Sequence, residues 1–184
     1  LQTDGYSAYN FAARATRVGC WAHARSKFTA CLPKGVKSED TRAAKALELT
    51  GRIFAADEGL IGLPTNEIYE KRLETIKPLL DEYWKFIENI YAAKGSNLAK
   101  AVVYSLNQKK QLNNVLLSGE LELTNNIAER AIKPFVIGRK NWLFSDTDKG
   151  ADASARCYSI IESAKLNNLN VFGYLSYLLT ELPG

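Results

Sequence analysis

The 184-residue sequence contains no methionine, one histidine and three cysteines, and these low counts restrict the origin of the chain, its possible active sites and its redox environment. Because position 1 is leucine and residues 1–3 have the pattern of a strand end, we expect a fragment cut inside a domain. With His23 as the single histidine, a histidine-rich metal site and a Ser-His-Asp triad elsewhere are excluded. The cysteines are odd in number and scattered, which indicates a reducing, intracellular protein rather than a disulfide scaffold. They are Cys20, Cys31 and Cys157.

Long apolar runs and glycine-rich phosphate loops are also missing. No run approaches the roughly 20 apolar residues of a membrane span, and no signal peptide opens the chain. We therefore expect a cytoplasmic protein without a membrane partner. No P-loop or Rossmann motif occurs. The net charge of +4 and the pI near 8.9 permit nucleic-acid binding, for which a local basic patch matters more than the total.

Helical periodicity dominates what is present. Only residues 1–3 and 17–21 look like short strands. Beyond Ser38 and Asp40, which are suitable helix caps, apolar residues at intervals of three and four predict a series of helices. Pro78 is expected to kink the longest one, over residues 66–93. The sequence thus predicts a mainly α structure with a small β remnant.

Asp4 follows the first strand pattern and opens an Asp-Gly turn. The carboxyl end of a strand is where α/β folds place ligand-binding groups. The alternative is an aspartate present for its turn chemistry alone. Taken by itself, the local sequence favours the turn.

Cys20 and His23 have a spacing that resembles a zinc motif. A structural zinc ion takes four protein ligands; Cys31 would be a third, and the sequence offers no fourth. A packed cysteine beside a histidine at a helix start is the plainer interpretation. A cysteine protease is conceivable, but nothing indicates an oxyanion hole.

Residues 123–144, LTNNIAERAIKPFVIGRKNWLF, are the most informative stretch. Thr124 and the two asparagines after it favour a helix start, because their side chains accept bonds from unpaired backbone N–H groups. We expect a short helix that ends at Pro134, which has no N–H to continue it. Its predicted inward residues are Ile127, Ala131 and Ile132.

Glu129 is the only acid in a long basic segment, since none follows until Asp146. This pattern suits a site that holds a metal with the acid and a phosphate backbone with the bases. The basic and aromatic members are Arg130, Lys133, Arg139, Lys140, Trp142 and Phe144. Alternatively, Glu129 closes a capping box with Asn126 or forms an i, i+4 pair with Lys133.

Four blocks in order, QTDGYSAY, VGCWAHARSKF, LTNNIAERAIKPFVIGRKNWLFSDTDKGA and ESAKLNNLNVFGYL, resemble the catalytic core of transposases of the IS66 family. These are enzymes of bacterial insertion sequences. The likeness covers almost the whole chain. Departures are small: Ser26 and Lys133 stand where the family often has arginine.

The resemblance implies a truncated ribonuclease H-like α/β core with a helical insertion, and a DDE set of three carboxylates. Asp4 matches the second acid and Glu129 the third, while the first is expected upstream of Leu1. Cys20 and His23 match a CxxH motif with a structural role. The implied parts are residues 1–37 with both strands, the helical insertion 38–117, and residues 118–184 with the Glu129 helix, the basic segment and the C-terminal helices.

The resemblance also implies metal-dependent cleavage and strand transfer of DNA, with Mg²⁺ or Mn²⁺ held by Asp4 and Glu129. The implied DNA contacts are Arg130, Lys133, Arg139, Lys140 and Trp142; Trp142 would stack on a base or simply pack. Expected partners are the element ends, the target DNA and further copies of the protein, near the bacterial nucleoid. Two rival functions are a non-catalytic DNA-binding or interaction fragment and a metal-dependent nuclease that does not join DNA.

Overall fold

The computed structural model describes residues 1–6, 14–32 and 41–182, and the prediction of a mainly α structure is confirmed. The helices of the first 125 residues are α1 (Trp21–Thr29), α2 (Arg42–Glu58), α3 (Thr65–Lys71), α4 (Lys77–Glu88), α5 (Asn97–Asn107) and α6 (Lys109–Asn113). Those that follow are α7 (Asn126–Trp142), α8 (Asp148–Leu166) and α9 (Val171–Glu181). The predicted caps Ser38 and Asp40 lie outside the described residues. Within them, the Thr41 side chain caps α2 by accepting from the Ala44 N–H at 3.1 Å.

The chain forms two compact units, which we call the first unit (Leu1–Asn125) and the second unit (Asn126–Gly184). In the first, Gln2 and Val18 form a parallel β-bridge, the one strand pairing among the described residues. The Thr3 N–H donates to the Val18 carbonyl at 3.0 Å, and the Val18 N–H donates to the Leu1 carbonyl at 2.9 Å. The two strand patterns of the sequence therefore meet, over a very short length.

Aromatic rings form the centre of the first unit. Trp21, Tyr83 and Trp84 are buried and pack with ring centroids 4.8–5.7 Å apart. Because α1 packs on α2 and α5, while α2 packs on α4, the rings are covered from several sides. The helices predicted as an insertion thus share one core with α1.

The interruption expected near Pro78 takes the form of a π-helical turn, Arg72–Ile76, between α3 and α4. Pro78 itself sits in the first turn of α4, where its missing N–H costs little. The turn places Arg72 in the interior, and its guanidinium meets the Asp57 carboxylate at 2.8 Å. Arg72 also donates to two carbonyls of the segment before the second unit, those of Ser118 and Leu121.

The helix predicted over residues 66–93 has a seam of apolar residues at intervals of four and three, beginning at Tyr69 and Leu73, and two features of this prediction are wrong. The helix ends at Glu88, and Tyr69 and Leu73 are exposed. Only the later seam residues are buried: Ile76, Leu80, Tyr83 and Ile87. The reason is that α4 packs on α2 and α5, whereas α3 adds little to the core.

The prediction that Pro134 ends its helix is also wrong. α7 runs through Pro134 to Trp142. An interior proline removes one backbone hydrogen bond and costs about 3 kcal/mol. Phe135 and Trp142, both beyond the proline, pack edge to face on Tyr158 of α8. We attribute the continuation of the helix to these contacts, since aromatic pairs add about 0.5–1.5 kcal/mol each to the burial of the rings.

A groove of about 440 Å³ lies between α7 and α8 in the second unit. Two of the three residues predicted to face inward, Ala131 and Ile132, line this groove, although Ile132 is 58% exposed. The third, Ile127, is 53% exposed and is not part of the lining, so the predicted inward face of α7 is correct only in part.

Candidate functional site

Asp4 lies directly after the parallel bridge, at the carboxyl end of the paired segment. Its side chain is half-buried, and one carboxylate oxygen, Oδ1, accepts the Tyr6 N–H at 3.0 Å. The Asp4 carbonyl accepts from the Arg17 guanidinium at 3.1 Å. The Asp4 side chain thus stabilises the turn by accepting a backbone N–H two residues on, as the sequence suggested. It does so at the position where α/β folds bind ligands.

A second layer of side chains, which the sequence did not reveal, surrounds the Asp4 turn. Tyr104 of α5 and Gln108 both approach Gly5 closely. Burial is the main cause that raises the pKa of Tyr104; the nearby Gly5 backbone works against this rise, and the charge of Asp4 adds to it. No spacing in the sequence links positions 5 and 104, so only the fold brings them together.

Cys20 and His23 flank the start of α1. Cys20 is buried just before the helix, and His23 is half-buried in its first turn. Cys31, the proposed third ligand, donates its thiol to the Lys27 carbonyl at 3.2 Å, and burial raises its pKa. Across the described residues, no three histidine, cysteine or acidic side chains gather at one point. The structural role of the Cys20–His23 pair stays a prediction.

Glu129 is exposed in the first turn of α7. A carboxylate is favoured there by the helix dipole, by about 0.3–1 kcal/mol. An open concavity of about 400 Å³ on this helix is lined by Glu129, Arg130 and Lys133 with neighbouring residues. The Glu129 carboxylate and the cationic side chains of Arg130 and Lys133 therefore line the same concavity.

The basic residues all lie on α7 or at its end. Successive helical residues are about 100° apart, so Glu129, Lys133 and Lys140 share one face, with Arg130 and Arg139 to either side. All four cations are exposed. This arrangement presents a row of positive charge along the face that carries Glu129.

Trp142 lies on another face of α7. Its ring packs against Phe135 and Tyr158 with centroids 5.8 Å from each, and it remains 39% exposed. Of the two alternatives, the structure displays packing. Stacking of Trp142 on a base stays a prediction.

The structure places Asp4 in the first unit and Glu129 in the second. Both carboxylates provide the hard oxygen ligands that Mg²⁺ and Mn²⁺ prefer, so the donor set fits such an ion in kind. Two carboxylates are fewer than an ion needs, which is consistent with a site that requires a third. The joint action of Asp4 and Glu129 stays a prediction.

A family model described as "Transposase IS66 family" matches residues 1–153. The chain belongs to the IS66 transposase family. It is 31% identical to the uncharacterized protein y4qI of Sinorhizobium fredii and 29% identical to y4hP of the same organism, in each case over 99% of this chain. The chain spans 35–36% of the length of these two relatives. No solved structure matches this transposase chain significantly. No described helix is both long and apolar enough to cross a membrane.

Proposed function

We propose that the chain is part of the catalytic region of a DDE transposase that cleaves and joins DNA with a divalent metal ion. The observation that carries this proposal is the position of Asp4, directly after a parallel-paired segment in a chain of the IS66 family. In a ribonuclease H-like core, that position belongs to a sheet edge where acidic side chains meet a ligand.

Asp4 and Glu129 would hold the metal ion, Mg²⁺ or Mn²⁺. When bound, the ion supplies Lewis-acid stabilisation of charge on the reacting phosphodiester. The chain's own contribution is to orient the two carboxylates. Asp4 is tied at its carbonyl and at one carboxylate oxygen, and Glu129 sits on a regular helix.

The cationic face of α7 would bind the DNA backbone. Two of its exposed cations, Arg130 and Lys133, line the concavity beside Glu129. The other two, Arg139 and Lys140, are exposed in the last turn of the helix. Contacts of this kind position DNA without reading its sequence. Trp142, packed on Tyr158, would act mainly by holding α7 against α8.

Removal of either carboxylate charge tests the catalytic proposal. In the full-length protein, Asp4→Asn and Glu129→Gln should each reduce cleavage of element-end DNA at least about 100-fold, because the metal loses a ligand while the side-chain shape is kept. DNA binding should persist. Asp148→Asn is the matched control, since Asp148 is also an exposed acid in the first turn of a helix.

Retained cleavage in Glu129→Gln would leave Glu129 as a helix-stabilising residue only. Retained cleavage in both variants would favour a non-catalytic DNA-binding role for this region. If cleavage requires both acids but no joined product forms, the metal-dependent nuclease is the better description.

The DNA-binding proposal predicts a strong salt dependence. Four cations on phosphates give a slope of log K against log salt of roughly −3 to −4, at about −0.9 per phosphate. Arg139→Ala with Lys140→Ala should flatten the slope by about 2, measured by fluorescence anisotropy over a salt series. Lys109→Ala with Lys110→Ala, two lysines of the first unit, is the control. If the Arg139→Ala and Lys140→Ala variant has an unchanged slope, Arg139 and Lys140 are ordinary solvated surface residues that do not contact phosphates.

A further inference from the structure

A cationic stretch without acids follows Asp4 in the sequence. No aspartate or glutamate lies between Asp4 and Glu39, whereas this interval contains six lysine and arginine residues. They are Arg14, Arg17, Arg25, Lys27, Lys34 and Lys37. The segment after Glu129 has the same pattern. Each candidate metal-binding acid is thus followed by a stretch whose charge attracts anions.

Two of these cations, Arg25 and Lys27, belong to α1 and are exposed. The Lys27 ammonium lies 5.4 Å from the ring centroid of Tyr104, and the Arg25 guanidinium lies 5.8 Å from that of Phe54. At an exposed site, a cation over an aromatic face is held there by about 0.5–1 kcal/mol. Both side chains therefore have a preferred position while their charged ends stay in water.

Neither cation is neutralised by a carboxylate in the part of the chain that the structure describes. Lys109 provides the contrast. Its ammonium lies 5.5 Å from the ring centroid of Trp84, but it also meets the Glu88 carboxylate at 2.5 Å. A cation that is held over a ring without such a carboxylate keeps its charge for an external anion.

The tyrosine ring under Lys27 also contacts the Asp4 turn. A Cβ atom at Gly5 would lie 2.8 Å from Cε2 of Tyr104, so the turn and the Lys27 ammonium meet the same side chain. Arg17, the other cation at this turn, is half-buried and donates to the Asp4 carbonyl at 3.1 Å. Of the two cations, Lys27 is therefore the one that an incoming ligand can reach.

We propose that Arg25 and Lys27 form a second surface for the DNA backbone, and that Lys27 binds a phosphate close to the one that reacts at Asp4. This proposal rests on the function proposed above, and it adds DNA contacts of the first unit to those of α7. Phosphates recur about every 3.4 Å of helix axis along each strand. A strand whose reacting phosphate lies at the metal beside Asp4 therefore brings a neighbouring phosphate to a cation one tyrosine ring away.

Loss and gain of charge on α1 test the surface. In the full-length protein, Lys27→Gln should make the slope of log K against log salt less negative by about 0.9. Ser26→Arg adds a cation at an exposed position between the two and should make the slope more negative by about 0.9. Lys27→Arg keeps the charge and should keep the slope. Fluorescence anisotropy with a labelled duplex measures all of them.

Lys109→Gln is the matched control, because Lys109 also lies over a ring but is paired with Glu88. Its slope should equal that of the natural chain. A general loss of folded protein would not move the slopes of Lys27→Gln and Ser26→Arg in opposite directions.

Neutral phosphates test where Lys27 binds. Element-end duplexes are prepared with a single methylphosphonate at one position at a time on either side of the cleaved bond. At one of these positions, the natural chain should lose about fivefold to tenfold in kcat/KM at about 0.1 M salt. Lys27→Gln should lose nothing further at that position, because its contact with the phosphate is already absent.

Three results overturn the proposal in distinguishable ways. If Lys27→Gln has the slope of Lys109→Gln, α1 does not bind DNA through Lys27, and the proposed function stands. If the slope changes but every methylphosphonate costs both proteins the same, the phosphate at Lys27 is not close to the reacting one. If Asp4→Asn cleaves as the natural chain does, the proposed function fails, and the placement of Lys27 beside a metal site fails with it.

Discussion

Both units contain three aromatic rings packed on one another, yet the two clusters have very different surroundings. In the first unit, Trp21, Tyr83 and Trp84 are buried, and each polar edge is satisfied. Their partners are the Leu112 carbonyl at 3.1 Å, the Ser105 hydroxyl at 3.1 Å and the Asn113 amide oxygen at 2.7 Å. In the second unit, Phe135, Trp142 and Tyr158 are all partly exposed.

The ring contacts themselves do not explain the difference. Centroid separations are 4.8–5.7 Å in the first cluster and 5.2–5.8 Å in the second. Contact between two rings adds about 0.5–1.5 kcal/mol beyond burial, whereas full burial of a large side chain contributes about 1.5–3 kcal/mol. What differs is therefore the number of helices that cover each cluster. The first unit has a packed core, whereas the three helices of the second unit bury one residue fully in its described part, Ala164.

Truncation of one tryptophan in each cluster gives the largest expected contrast. Trp21→Ala should lower the free energy of unfolding by about 3–5 kcal/mol, the usual cost of removing a large buried aromatic side chain. Trp142→Ala should cost about 1–2 kcal/mol, because 39% of the residue is already in water. Urea denaturation followed by circular dichroism measures both, and equal losses would contradict the contrast between the units.

Sequence reasoning succeeded where local signals and tertiary packing agree. From the sequence, Ser96 and Asn97 are both suitable caps for α5, and the structure uses Ser96, whose hydroxyl accepts the Ala99 N–H at 3.1 Å. It failed where packing outweighs a local rule. Pro134 was expected to end a helix, but Phe135 and Trp142 beyond it pack on Tyr158 of α8. The stabilisation from these contacts cannot be read from the sequence.

The candidate site shows the same limit. Asp4 and Glu129 were candidates because each lies in a block that resembles the IS66 family, and their joint role stays a prediction. Tyr104 was not, because an isolated tyrosine on a helix carries no signal until the fold brings it to Gly5. The exposure of Ile127 was also beyond reach, since it depends on which face of α7 meets α8.

Alkaline pH gives a smaller test of the buried cluster. Burial raises the pKa of Tyr83 to about 12, the Ser105 hydroxyl opposing this in part. Because the unfolded tyrosine ionises near pH 10, the stabilisation is fully present below pH 10 and is lost as pH rises towards 12. A difference of about two pKa units predicts a loss of about 1 kcal/mol at pH 11.

Tyr83→Phe provides the reference for this effect. The variant loses the bond to Ser105 and should be less stable at neutral pH by about 1 kcal/mol. Its stability should then fall less steeply than that of the natural chain between pH 10 and 11. Parallel curves for the two proteins would mean that Tyr83 ionises as easily in the folded state as in the unfolded one.

Two helix glycines give the smallest and most local comparison. Gly51 in α2 has open space where a Cβ would lie. In α7, a Cβ at Gly138 would meet the Trp142 ring at 2.7 Å and the Tyr158 hydroxyl at 3.0 Å. Alanine gains about 0.5–1 kcal/mol over glycine in a helix interior, while overpacking costs about 1–3 kcal/mol.

Gly51→Ala should therefore stabilise the first unit by about 0.5–1 kcal/mol, and Gly138→Ala should destabilise the second by about 1 kcal/mol. Urea denaturation measures both, with near-ultraviolet circular dichroism reporting the rings. Stabilisation by Gly138→Ala would show that the Trp142 ring moves freely, and that the second aromatic cluster does not hold α7 against α8.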